Sequence, residues 1–250
     1  MKNPNELPVA LDTGGRTTAL AYAAADPALG ATLILGHGAG AGQRSPFMVA
    51  TARALAARGV HVVTFNFLYT EQKRRIPDRA PVLEACFRAV IDVVSRTGFR
   101  DARGNLSPTA AAGGSLFIGG KSMGGRISTQ LAAADPRLPI AGLVLLGYPL
   151  HPPGRRDERR DRHLPSVGRP MLFVQGSRDA FGTPAELEPI LAAIGSAAML
   201  HVVPGGDHSL RLARRDPAAQ AAADDDVHRS VVEWIAGLTR TAGRETRRPL

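Results

Sequence analysis

Apolar residues fall along this chain in short continuous runs, separated by segments whose apolar positions recur every three to four residues. The runs are Thr18 to Ala23, Thr32 to Leu35, Val60 to Phe65, Leu116 to Ile118, Leu143 to Leu146, Met171 to Val174 and Met199 to Val203. Strands covered by helices on both faces read this way, because neither face needs polar side chains. Between the runs, Val82, Cys86, Ala89, Val90 and Val93 share one helical face, and so do Met123, Ile127 and Leu131. A third stripe, from Val227 to Leu238, follows Asp224, Asp225 and Asp226, whose charge suits a helix N-terminus. The alternation predicts an α/β fold with a mostly parallel central sheet and helices on both faces.

Local signals refine this outline. Thr183-Pro184-Ala185-Glu186 has the order of a capping box with proline at the first helical position, so a helix should start there. Gly98 to Gly114 reads as a surface loop, and the tail after Gly243 as frayed. Residues 149 to 169 are too polar and arginine-rich for a substantial helical lid. No linker-like break divides the 250 residues, so a single domain is expected over 1–250, with its core at about 18–238. The apolar fraction of 44% is enough to fill one such core.

Charge changes the picture less than its size suggests. A net charge of +9 invites an anionic partner such as nucleic acid or a lipid surface. Yet there are only three lysines, and the densest basic stretch, Arg155 to His163, interleaves Asp157, Glu158 and Asp161 and has no aromatic residue for base stacking. A solvated loop accounts for it, and neither a nucleic-acid nor a membrane partner is expected. The polar N-terminus lacks a signal-like apolar region, and no apolar stretch approaches the ~20 residues of a membrane span. The lone Cys86 excludes an internal disulfide framework and sits on an apolar helix face, so a cytoplasmic location is expected.

The chemistry is concentrated where Ser115 to Ile118 runs into Gly119-Gly120-Lys121-Ser122-Met123-Gly124-Gly125 and then a helical pattern. Strand, G-x-S-x-G and helix describe a strained turn that exposes a serine hydroxyl at the sheet's edge. Such a serine needs a base, and the base needs a carboxylate to hold its tautomer. The strand Met171 to Val174 leads into Gln175-Gly176-Ser177-Arg178-Asp179, and Met199 to Val203 leads into Pro204-Gly205-Gly206-Asp207-His208. Asp179 and His208 thus follow Ser122 in the order acid then base, each in a loop after a later strand, with Asp207 the nearest competitor for the acid. For an oxyanion, the N–H of Met123 and that of Ala39, in the small-residue loop Gly36 to Gly42, are the expected donors. Tyr69, Arg74 and Arg75, which follow a strand's C-terminal end, are candidate substrate-binding residues for a carboxylate or phosphate.

Two nucleotide readings fail on residues. A Walker A loop ending at Gly120-Lys121-Ser122 would need glycine where Ser115 stands. Gly36 to Ala41 fits a dinucleotide fingerprint, but the next strand ends without the acidic residue that would hold a ribose. No H-E-x-x-H or clustered Cys/His suggests a metal. His37 reads as a brace for its own loop, while His61 and His201 lie within strand runs and read as structural.

On His37 to Gly40, Gly119 to Gly125, Val174 to Asp179 and Gly206 to Ser209, the chain resembles the α/β-hydrolases of the dienelactone-hydrolase-like kind. It is similar in particular to small lidless bacterial hydrolases related to the mammalian testis-expressed hydrolase-like proteins. The resemblance implies the α/β-hydrolase fold, a Ser122–His208–Asp179 triad and no cofactor or metal. It departs from dienelactone hydrolases proper in carrying Ser122 where they use cysteine. A serine hydrolase, carboxylesterase-like, acting on an ester or thioester of a small molecule is expected. The alternative is an interaction module of the same fold with an idle site.

Overall fold

The computed structural model describes residues 3–97, 114–213 and 216–245. The loop expected over 98–114 lies outside them but for Gly114; of the tail expected after Gly243, Arg244 and Glu245 continue the last helix and 246–250 lie outside the described residues.

One eight-stranded sheet carries the molecule. Its strands are β1 (Asn5–Ala10), β2 (Arg16–Tyr22), β3 (Ala31–Gly36), β4 (His61–Phe65), β5 (Ser115–Lys121), β6 (Gly142–Leu146), β7 (Met171–Gly176) and β8 (Ala198–Val203). They lie in the order β1-β2-β4-β3-β5-β6-β7-β8. β1 and β2 pair antiparallel, as do β2 and β4, and every pairing from β4 onward is parallel.

Alternate residues of the central strands enter two separate cores. Ile34, Ile118, Leu145 and Phe173 pack with α3 (Ala80–Thr97), α4 (Met123–Ala134) and α5 (Pro184–Ile194). Leu35, Phe117, Val144 and Leu172 pack with α1 (Pro46–Ala56) and α6 (Pro217–Glu245). Burial on both faces is why those strands read as unbroken apolar runs. A four-residue α2 (Leu68–Glu71) follows β4. Between β6 and β7 the chain forms only a short 3₁₀ turn at Leu164–Ser166, so no helical lid arises there. Among the described residues, no helix is long and apolar enough to cross a membrane.

The capping box forms: Glu186 accepts from the Thr183 N–H and from its hydroxyl, both at 2.9 Å. The start of α6 needs correction. Asp216 caps it by accepting from the Ala218 and Ala219 N–H groups at 3.0 and 3.1 Å, and Pro217 is its first residue. Asp225 and Asp226 therefore lie inside the helix, paired with Arg58 and Arg229. β1, α1 and α2 are elements that the apolar runs do not announce.

Candidate active site

The turn between β5 and α4 is built by absent side chains. A Cβ on Gly120 or on Gly124 would overlap the Gly36 carbonyl, so β3, β5 and α4 meet backbone to backbone. Closing the turn forces Ser122 to φ 50°, ψ −111°, a conformation that an L-residue adopts only under strain. Its N–H is tied to the Leu146 carbonyl at 3.0 Å.

The structure brings Ser122, His208 and Asp179 into one hydrogen-bonded line. His208 Nε2 lies 2.8 Å from Ser122 Oγ. His208 Nδ1 lies 2.8 and 3.0 Å from the two carboxylate oxygens of Asp179. With Asp179 accepting at Nδ1, the proton belongs on Nδ1 and Nε2 is left to accept from the serine. Asp179 is only 1% exposed. Its charge is nevertheless satisfied, by Gln175 Nε2 at 2.8 Å on Oδ2 and by the Phe181 N–H at 2.8 Å on Oδ1. The Phe181 ring stacks on His208 with centroids 4.0 Å apart. Asp207 stays outside the line, because its carboxylate accepts from the Ser209 and Arg211 N–H groups at 2.7 and 2.9 Å.

The loop after β3 lies against the serine: a Cβ at Gly38 would sit 3.7 Å from Ser122 Cβ. His37 fixes this loop. Its Nδ1 meets the Gly38 carbonyl at 2.8 Å and its Nε2 accepts from the Phe67 N–H at 3.1 Å. Both contacts suit the neutral ring, and burial lowers its pKa. Tyr69, 2% exposed, donates from its hydroxyl to the Ala39 carbonyl at 2.8 Å, so it reaches the site through that peptide. The Ala39 N–H makes no hydrogen bond among the described residues. Met123 opens α4, where an N–H has no intrahelical partner. These are the two donors expected for an oxyanion.

Arg74 is paired with Asp78 at 2.7 Å, and neither it nor Arg75 lines the cavity walled by Gly38, Lys121 and Ser209. Cys86 is buried in the core, and desolvation pushes its thiol up to about 12. His61 accepts from the Ala24 N–H at 3.1 Å. Among the described residues, no group of three or more His, Cys, Asp or Glu could hold a metal ion.

Three participants escaped the sequence. Gln175 and Phe181 sit within a few residues of Asp179, but only the fold shows that they grip it. Lys121, beside Ser122, is 9% exposed and donates from Nζ to the His208 carbonyl. Desolvation pulls its pKa down to about 8, against the opposing pull of Asp179 and Asp207.

Comparison with known proteins agrees with this architecture. The family model described as an alpha/beta hydrolase domain matches residues 30–236. A lidless α/β serine hydrolase from Xanthomonas campestris superposes with a TM-score of 0.68 at 20% identity, over 94% of this chain and 96% of that one. A serine hydrolase homologue from Coxiella burnetii does so with a TM-score of 0.67 at 16% identity, over 93% and 98%. A dienelactone hydrolase from Anabaena variabilis gives a TM-score of 0.64 at 20% identity, over 93% and 97%.

Proposed function

The chain belongs to the alpha/beta hydrolase domain family, and from that premise we propose that it is a serine hydrolase, carboxylesterase-like, that cleaves an ester or thioester of a small molecule. One observation carries the reading: a serine hydroxyl, an imidazole and a buried carboxylate joined by hydrogen bonds of 2.8 Å.

In the first step His208 Nε2 takes the proton of Ser122 Oγ as that oxygen attacks the carbonyl carbon. The new C–O bond forms while the carbonyl electron pair moves onto oxygen. The resulting oxyanion accepts from the Met123 and Ala39 N–H groups. Asp179 stabilises the imidazolium through Nδ1–H and remains ionised throughout. The imidazolium then gives its proton to the leaving alkoxide or thiolate as that bond breaks, leaving an acyl group on Ser122. In the second half His208 takes a proton from water, whose oxygen attacks the acyl carbon, and returns it to Ser122 as the acid departs.

The backbone supports this use of the serine. Strain at Ser122 and the rigid glycine contacts hold Oγ in place before substrate arrives, so little ordering is left to the reaction itself. Neutral His37 and Tyr69 do the same for the loop bearing Ala39.

A fluorophosphonate probe tests the reading directly. The expected result is covalent modification of Ser122 in the native protein, and a drop in kcat of ~10³ or more for Ser122→Ala on a chromogenic ester. A native Ser122 inert to the probe, together with no ester turnover, overturns it and leaves an interaction module.

A further inference from the structure

A cavity of about 190 Å³ opens beside the nucleophile, and its lining includes Gly38, Ser45, Phe47, Lys121, Ser209 and Arg211. Gly38 packs against Ser122, and Ser209 follows His208, so the cavity adjoins the reacting atoms on the α1 side of the sheet. Lys121 and Arg211 are its only charged lining residues among those described.

From this arrangement we propose that the cavity is an anion subsite, and that the enzyme acts on esters whose acid portion carries a second, negatively charged group, a carboxylate or a phosphate. The inference rests on the reading of Ser122 as the nucleophile.

Five observations carry it. Lys121 is nine-tenths buried, and the described residues supply one hydrogen-bond acceptor, the His208 carbonyl, for an ammonium with three donors. Its Nζ also lies 5.5 Å from the centre of the Phe47 ring, an attraction that holds the cation at the cavity wall. Neither nearby carboxylate pairs directly with it among the described residues: Asp179 is engaged by His208, Gln175 and Phe181, and Asp207, which accepts from two N–H groups, attracts it only at longer range. Arg211 is exposed at the cavity and has no acidic partner among the described residues. Ser45, a further lining residue at the start of α1, has a buried hydroxyl without a partner there.

A buried cation that the fold leaves short of acceptors is stabilised by an anionic ligand more than an exposed one would be, because less water competes. The remaining wall, Phe47 with Pro46, Met48 and Ala41, is apolar. The matching ligand therefore has a short apolar body and a charged tip. Lys121 reports on this tip without entering the chemistry: it is a specificity residue, whereas Ser122 and His208 react.

The test compares a chromogenic glutarate monoester with the matched neutral hexanoate ester in the native protein, Lys121→Met and Arg211→Gln. The native enzyme should favour the glutarate ester in kcat/KM, and the ratio of the two should fall about 10-fold or more in Lys121→Met and less in Arg211→Gln. Taking the ratio removes any general loss of activity in Lys121→Met, and Arg211→Gln, at an exposed position, keeps the test open should the first variant fold poorly. A ratio unaltered in both variants overturns the subsite while leaving the hydrolase reading intact. In parallel, glutarate and inorganic phosphate are titrated by calorimetry into Ser122→Ala protein, which needs no turnover. Tighter binding of glutarate identifies a carboxylate substrate and tighter binding of phosphate a phosphorylated one. Binding of neither overturns the subsite, even if no ester is hydrolysed.

Discussion

The ring of Phe181 lies against the imidazole of His208, with centroids 4.0 Å apart and planes 26° from parallel. The same residue donates its N–H to Asp179 Oδ1, so one position grips both His208 and its carboxylate partner. The stack limits rotation of the imidazole about the axis along which it must present Nε2 to Ser122. Phe181→Ala should keep the backbone donor and lose the stack, lowering kcat by about 10-fold with a smaller effect on KM. Steady-state kinetics on one chromogenic ester decides this. An unchanged kcat would show that Asp179 alone orients the ring.

The assignment of the acid gives a second expectation. Asp179→Asn keeps the shape of the buried site but presents an amide where Nδ1–H needs an anion, so the wrong histidine tautomer is favoured. A loss of about 10⁴ in kcat is expected, as for serine hydrolases generally. Asp207→Asn touches only the turn that holds the Ser209 and Arg211 N–H groups, and should cost under about 10-fold. The reverse ranking, measured on the same ester, would transfer the acid's role to Asp207.

Backbone strain at Ser122 is measurable apart from activity. Ser122 at φ 50° and ψ −111° is a conformation that glycine accepts and alanine does not. Ser122→Gly should therefore be more stable than Ser122→Ala by about 1 kcal/mol, by urea denaturation. Gly124→Ala places a methyl group into the Gly36 carbonyl, where backbone cannot yield, and should fail to fold or lose more than about 3 kcal/mol. Equal stabilities of the two serine variants would mean that the turn relaxes freely.

Much of this was legible in the sequence for a physical reason. Ile34 faces one core and Leu35 the other, so β3 has no exposed position, and the same holds for β6, β7 and, after its first residue, β5. Such strands announce themselves, and the loops that follow them could be ordered from Ser122 through Asp179 to His208. β1 did not announce itself: it is an edge strand with most residues exposed and Pro8 in its middle, which only an edge tolerates. The start of α6 was misplaced because the acidic run adjoins the apolar stripe, whereas the actual cap, Asp216-Pro217, stands two turns upstream in an alanine-rich stretch. Gln175, Phe181 and Lys121 lie next to the motifs in sequence but act through contacts that only folding creates, and no spacing rule reaches those.

The buried ammonium of Lys121 sets function against stability. Burial takes its pKa from the ordinary 10.5 down to about 8, so keeping it charged at neutral pH costs the fold about 3 kcal/mol. Lys121→Met removes that cost, loses the hydrogen bond to His208, and fills similar space with an apolar chain. The variant should be more stable than the native protein at pH 7 by roughly 1–3 kcal/mol. The sign with pH follows from proton counting. Between about 8 and 10.5 the unfolded chain holds the lysine proton more tightly than the folded one, so native stability from this group rises across that window. The penalty is present in full below pH 8, so the advantage of Lys121→Met should shrink as pH rises from 8 towards 10.5. Urea denaturation of both proteins at pH 7 and pH 10 measures it. A variant less stable at pH 7, or an advantage that grows with pH, would show that the ammonium is stabilised in the fold rather than strained by burial, and that its place beside Ser122 needs no functional counterweight.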